Sequence, residues 1–428
     1  MTSQCEIEAA FDRLWNVWPP RSITGNGVRK THDILEEISG QEFARIEVPS
    51  GTKVFDWTVP REWSLREAHI VSPEGRRICD AKLSALHVLN YSAPILARMS
   101  RQELERNLFS LPESPESVPY RTAYYSDPPT WGFCIAHKDR EALPDGEYKV
   151  HINAEHFDGA LSLSECVLPG ETKREVLLWS YTCHPAGAHH DLSANLVWAY
   201  LMKRVAAWPK RRLAYRFACG AETIGSLAYL AQPINLRCSA RLVHFWTHLV
   251  AGYVLTCLGR GPWHYKLTRY GDTVADRAVQ HVLWKEAGFR PYSASTGTDQ
   301  LQFNSLGFNL PVGELMRRPY AEFKEYHTDQ DNKSNVSFDT IMTSIDVAER
   351  ILRAIDANGT YRATITRGMP QLGRRGLYDD PEAVTPLIQF SDGRTDLLAI
   401  AARTGLDIHR LAALAERCVA GGVLESIP

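Results

Sequence analysis

Buried-strand runs and helical runs take turns along the middle of this chain, and that alternation constrains the fold more than any other feature. EVLLWSYTC reads as a fully buried strand, LSANLVWAYLMKRVAAW as a helix, RRLAYRFAC as a strand, IGSLAYLAQ as a helix and AGYVLTCLG as another strand. Two further helical stretches, DTVADRAVQHVLWKEA and FDTIMTSIDVAERILRAIDAN, close the section, which spans about residues 151–370. Continuous apolar strands joined by crossover helices predict an α/β fold, with a mainly parallel mixed sheet flanked by helices on both faces. In such sheets the chemistry gathers at the carboxyl ends of the strands. His184 directly follows SYTC and Glu222 follows RFACGA, so both stand at strand ends.

The flanking segments have other textures. Residues 1–45 read as helix, glycine-bearing turn (SITGNG) and helix, and are grouped with 151–370 as one catalytic unit. Residues 46–150 carry short runs such as ARIEV, KVFDWTV, REAHIV and YKVHINA between Pro, Gly and Asp, the pattern of an inserted small β domain. After a polar linker, residues 371–428 read as two short helices joined at Thr404–Asp407, then Gly421-Gly422 and a β-like end, which predicts a winged helix.

Composition removes several function classes. The chain has 428 residues and a formal net charge of -2, so nothing draws it toward nucleic acid or anionic lipid. Its nine cysteines are odd in number and lack CxxC spacing, which suits reduced thiols in a cytoplasm. The amino end carries early acidic residues and no apolar core, unlike a secretory signal. The most apolar later stretch, Leu249 to Leu258, is too short and too broken to cross a bilayer. The expectation is a cytoplasmic protein without a membrane partner; homo-oligomerisation stays open.

Three clusters carry candidate chemistry. Cys183-His184-Pro185 followed by His189-His190-Asp191 supplies imidazole and carboxylate donors suited to zinc. The bland alternative is a surface histidine cluster, with Asp191 capping the next helix. Glu222, in GAETIGS, is either a first-turn glutamate favoured by the helix dipole, a metal ligand, or a general base. In EYHTDQDN, His327 is a second separated histidine, with Asp329 and Asp331 near enough in sequence to fix its tautomer. Beside it, Tyr326 could donate to a developing oxyanion; the alternative is a polar loop with Asp331 or Ser334 as helix cap.

Longer stretches carry a resemblance. RSITGNGVRKTHDIL, VPSGTKVFDWTVPREW, LHVLNYSAP, YRTAYYSD, WGFC, SYTCHP, YRFACGAETIGSLAYL, AGYVLTCLG and LPVGELMRRPYAEFKEYHTDQDN make the chain similar to the DUF4910 aminopeptidase-like family, with an inserted DUF2172 domain and a C-terminal winged helix. That family is related to the M28-type zinc aminopeptidases. The resemblance covers about residues 20–350. It implies a zinc-aminopeptidase-like core, His184 and His327 as first and last metal ligands, Glu222 in the segment of the base and ligand glutamates, and Tyr326 as an oxyanion donor.

Departures from the pattern are as informative. Where the family reads CHPSxANDNLSG this chain reads CHPAGAHHDLSAN, so His190 takes the metal-binding Asp position and Asp191 falls one residue late. A later segment keeps Asp299 and loses the following Glu. These changes suit one Zn2+ per chain rather than two, held by His184, His190 and His327, with Asp191 competing for the middle place. Arg260 stands where the family tends to be acidic. With Arg317 and Arg318 it could anchor an anionic end of a small-molecule or short peptide-like substrate, such as an aminoacyl or peptidyl conjugate from a biosynthetic pathway. The expected activity is metal-dependent hydrolysis of an amide. The competing readings are a lapsed small-molecule-binding member of the family and a DNA-binding regulator using the winged helix, the latter disfavoured by the tail's balanced charge.

Overall fold

The computed structural model describes residues 3–235 and 245–427. Its organising strand is Glu175–Tyr181, buried from Val176 onward. Val176 and Leu178 enter the core on one face of the sheet; Leu177, Trp179 and Tyr181 enter the core on the other. Burial on both faces explains why this run shows no polar alternation in sequence.

Ala214–Gly220 lies parallel to it on one side and Leu249–Leu255 parallel on the other, with Val312–Met316 parallel beyond. Antiparallel Ala160–Leu168 and Ala44–Pro49 extend one edge, and Trp263–Lys266 and Ala287–Arg290 extend the other, making eight strands. The chain leaves the organising strand for its neighbour on one side, then crosses to its neighbour on the other. A crevice opens at the strand ends where that direction reverses. Deep in the sheet, the buried Arg216 guanidinium bonds Glu165 and Glu175 at 2.6 Å each, so the charge is paired.

Helices Gln4–Trp15, Asn26–Ser39, Ser193–Ala206, Val274–Leu283 and Phe338–Ala357 cover one face. The helix Ile224–Asn235 and the inserted unit cover the other. Asn26–Ser39 starts after Gly25, whose φ is 96° and where a Cβ would lie 2.5 Å from the Trp63 carbonyl; the SITGNG turn needs a glycine there.

Strand pairing crosses the boundaries expected between units. The inserted unit is a four-stranded sheet of Arg77–Ile78, Glu62–Val71, Glu147–Phe157 and Ile95–Ser100. Glu147–Phe157 passes the expected boundary at 150, and Ala44–Pro49 straddles the one at 45 while belonging to the main sheet. Thr360–Ala363, expected in the catalytic unit, pairs instead with Asp392–Asp396 and Leu424–Ile427 of the C-terminal unit. That unit holds three helices, Pro381–Phe390, Leu397–Thr404 and Ile408–Ala420. DTVADRAVQHVLWKEA is helical only to Leu283; Ala287 opens an edge strand. Among the described residues no helix is long and apolar enough to cross a membrane.

Candidate active site

The crevice is built by three loops. Just beyond the organising strand, His184 is buried, and its Nδ1 lies 2.9 Å from Asp191 Oδ2. The same carboxylate oxygen accepts from the His184 backbone N–H at 3.2 Å. From below, the buried Arg21 donates to the His184 carbonyl at 2.7 Å and the Pro185 carbonyl at 3.2 Å, fixing the strand exit.

His190 comes from a π-helical turn, Ala188–Leu192, entered through Gly187 at φ 129°. Single π turns concentrate at functional sites because they re-aim side chains. Asp331 caps this turn, its two carboxylate oxygens accepting from the N–H groups of His189 and His190 at 2.9 and 3.1 Å. His189 points away. Its Nε2 donates to the Arg318 carbonyl at 3.0 Å and its Nδ1 accepts from Gly259 N–H at 3.2 Å, a neutral tautomer. Of the HHD run, then, His189 is structural, the buried His190 turns toward His184 and His327, and Asp191 braces His184 at 2.9 Å with its other oxygen 3.4 Å from His190 Nδ1.

His327 comes from the third loop, with φ 55°. The inserted unit holds that loop: Tyr120 N–H donates to the His327 carbonyl at 2.8 Å, and Val118 N–H to Asp329 Oδ1 at 2.8 Å. One donor atom each from His184, His190 and His327 falls within a 4.8 Å cluster. The Nε2 of His327 is buried with no hydrogen-bond partner, which a ligand to a metal would explain. Burial and the neighbouring imidazoles press His190 well below the ordinary histidine range, and burial and His184 bring His327 to about 3. Burial also opposes protonation of His184, but Asp191 outweighs it and holds that pKa well above the ordinary range. Two neutral imidazoles beside one braced by a carboxylate form a donor set that fits zinc, bound by nitrogen at about 2.0–2.1 Å.

Glu222 Oε2 lies 3.8 Å from His184 Nε2, and its side chain is 28% exposed toward the crevice. Burial, resisted by His184 and aided by Asp299, pushes its carboxyl up to about 8. Thr223 follows with φ 61°, held by Asp299, which accepts from Thr223 N–H at 2.7 Å, Ser226 Oγ at 2.5 Å and Trp179 Nε1 at 2.6 Å. Tyr326 packs its ring flat on His327 at 3.8 Å and edge-on to His190 at 4.9 Å.

A cavity of about 330 Å³ opens over His184, Glu222 and His327, with Cys183 and Thr223 beside them and Ile23, Trp57, Tyr120, Tyr124 and Tyr125 in its wall; His190 and Tyr326 lie outside the lining. Several expected roles are corrected. Arg260, Arg317 and Arg318 do not line it. Arg317 stacks on Trp263 and donates to Ser344, Thr343 and the Gly261 carbonyl, while Arg318 donates to the Glu322 carbonyl. Asp299 is fully buried behind Glu222 and cannot meet a substrate. Neither Asp329 nor Asp331 reaches the His327 ring; each is spent on backbone N–H groups. Tyr120 and Tyr124, hydrogen-bonded to each other, were missed as wall residues, although the tyrosine-rich YRTAYYSD was among the matching stretches.

The central parallel strands, the antiparallel edges and the C-terminal helical unit together define an aminopeptidase-like fold followed by a winged helix. The chain belongs to the DUF4910 family, a domain of unknown function whose model matches residues 11–358, and residues 359–426 match a winged helix-turn-helix model. A Clostridium acetobutylicum protein, provisionally named a polysaccharide biosynthesis protein with aminopeptidase-like domain, is 36% identical over 408 residues, covering 91% of this chain and 90% of its own. The crystal structure of a provisionally assigned peptidase from Clostridium acetobutylicum superposes with a TM-score of 0.89 at 34% identity, covering 99% of this chain and 96% of that one. The zinc aminopeptidase of Bacillus subtilis shares the fold, with a TM-score of 0.53 at 13% identity over 81% of this chain and 94% of that one.

Proposed function

We propose that the chain is a zinc-dependent hydrolase cleaving an amide of a small biosynthetic intermediate, with one Zn2+ held by His184, His190 and His327. The observation carrying this reading is the convergence of three imidazoles from three loops, one with an unpartnered buried nitrogen, beside a partly open glutamate. A zinc ion bound there supplies a Lewis acid that polarises the carbonyl and lowers the pKa of a water. Asp191 holds His184 Nδ1 so that Nε2 keeps its lone pair for the metal. Asp191 spends Oδ2 on His184 Nδ1 at 2.9 Å, while its Oδ1 stands 3.4 Å from His190 Nδ1; with His190 at the family's bridging carboxylate position, this arrangement supports one cation over two.

Glu222 acts as general base, taking the proton of the attacking water and returning it to the leaving amine. Its raised pKa suits proton exchange near neutrality, and a cation beside it would draw the value down. Tyr326, stacked on His327 and edge-on to His190, is the candidate donor to the carbonyl oxygen. The tyrosine wall excludes water, and among the described residues no arginine or lysine lines the cavity, which supports an uncharged group there. The provisional name of the Clostridium relative supports a biosynthetic intermediate as substrate.

The test is metal content of tag-free protein alongside hydrolysis of aminoacyl and peptidyl amides. His184→Ala should lose one zinc per chain and all hydrolysis; Glu222→Gln should keep that zinc and lose hydrolysis. A wild-type chain whose zinc content is unchanged by His184→Ala, or that has no hydrolysis to lose, would point to a lapsed binding module.

A further inference from the structure

Away from the crevice, the inserted sheet carries a second group of donors. In Glu62–Val71, Trp63 and Leu65 point into the core, and so do Ala68 and Ile70. The facing parity switches because a β-bulge falls between Leu65 and Glu67, where Arg66 has no partner on Glu147–Phe157. Bulges re-aim side chains in this way. The switch turns Glu67 and His69 outward together. On the neighbouring strand Val150 and Ile152 are buried, so His151 also faces out, directly opposite His69 in the register.

The two imidazoles meet edge to face at 5.2 Å, and Glu67 Oε1 lies 3.7 Å from His151 Nδ1. One donor atom from each of the three residues falls within a 4.8 Å cluster. The Nδ1 of His69 is buried and has no hydrogen-bond partner. Arg77 stands at 3.7 Å from Glu67, but its Nε is engaged by Asp80 at 2.7 Å, so it can leave Glu67 without losing its main partner. Burial together with Arg77 keeps His69 below the usual histidine range, in its neutral, ligating form.

We infer that Glu67, His69 and His151 form a second metal site, for a divalent cation of the zinc or nickel kind, clamping the two long strands of the inserted sheet. Two cross-strand imidazoles and a carboxylate are an N2O donor set that such cations prefer to calcium or magnesium. The site is half-open, with Glu67 34% and His151 27% exposed, so it takes the cation from solution and is weaker than a closed site. It is independent of the crevice and stands whether or not the chain hydrolyses amides.

The experiment is calorimetric titration of zinc chloride, then cobalt chloride with visible absorption, into chelator-stripped full-length protein. The wild type should take up two equivalents. His69→Ala/His151→Ala should lose one, with hydrolysis, where present, unchanged. His184→Ala/His327→Ala should lose the other while keeping the zinc-induced rise in Tm. Glu67→Gln should weaken the remaining equivalent at least tenfold. If metal uptake and the Tm rise are the same with and without His69 and His151, the inference fails. Because the substitutions at 69 and 151 are made in an otherwise intact chain, a misfolded crevice variant cannot hide that result.

Discussion

Two residues in left-handed backbone conformations line the crevice: Thr223 at φ 61° and His327 at φ 55°. Each costs about 1–3 kcal/mol and survives only where neighbours impose it. Asp299 imposes it on Thr223, and the bond from Tyr120 N–H to the His327 carbonyl helps impose it on His327. Positioning here is thus enforced by a buried carboxylate and a backbone N–H rather than by the side chains proposed to do the chemistry. Asp191→Asn preserves shape but removes the charge behind His184, so zinc affinity should fall by about 10–100-fold in competition with a chelating dye. An unchanged affinity would mean that Asp191 has no part in orienting the ligand. Tyr326→Phe keeps the ring stacked on His327 and deletes only the hydroxyl. Its kcat should drop on the order of 100-fold with zinc content unaltered, as for other lost carbonyl donors. A drop confined to zinc content would assign the tyrosine to packing instead.

At the scale of elements, helix Asn26–Ser39 is docked by one buried polar residue. His32 reaches two strand regions at once, with Nε2 at 3.0 Å from Thr182 Oγ1 and Nδ1 at 2.8 Å from Ser164 Oγ. Burial, aided by Arg45 and Arg29, lowers its pKa to about 3. An unfolded histidine titrates near ~6.5. Between those values the unfolded chain binds the extra proton, so this contribution is intact above pH ~6.5 and is lost as pH falls toward 3, by about 1.4 kcal/mol per pH unit. His32→Gln should lower stability at pH 8 and flatten its decline between pH 6.5 and 4 in urea titrations. A parallel decline in both proteins would remove His32 from the account. Much at this scale could be read in the sequence, because strands buried on both faces show themselves as unbroken apolar runs. The short strands WHYK and AGFR could not, since four residues carry no period and pair only through tertiary contact. His184, Glu222 and His327 were legible as strand-end and loop residues. The order of His190 and Asp191 was not: adjacent residues on a helical turn point about 100° apart, and the twist of one turn decides which faces the crevice. The arginines misled because a guanidinium can serve structure as readily as a ligand, and Trp263 is remote from Arg317 in sequence.

The whole molecule is more continuous than its parts suggest. One hydrophobic core runs from Leu14 and Trp198 through Ile345 and Leu352 to Leu397, Leu411 and Leu424, so the winged helix is packed into the main-sheet body. Arg277 of that body bonds Asp396 at 2.7 Å, and Asn358 bonds the same carboxylate at 3.1 Å. A winged helix that read DNA would need an uncompensated basic face. Residues 359–428 hold eight arginines, no lysine and eight acidic residues. On Ile408–Ala420, Arg410 pairs with Asp380 and Arg417 with Asp379, both at 2.7 Å. Exposed pairs of this kind are worth at most about 1 kcal/mol, so pairing alone would not stop either arginine turning to a phosphate. The obstacle is the flanking acidic cluster of Asp379, Asp380 and Glu382, which would repel the same phosphates. The expected outcome is that full-length protein shows no saturable binding to a fluorescent mixed-sequence duplex in 150 mM salt, and that Asp379→Asn/Asp380→Asn/Glu382→Gln creates weak, salt-dependent binding. Wild-type binding tighter than about 10⁻⁶ M, beyond the non-specific range, would restore the regulator reading. Wild-type binding absent and gained only on neutralising the acidic flank would make the C-terminal unit a packing element whose surface charge excludes nucleic acid.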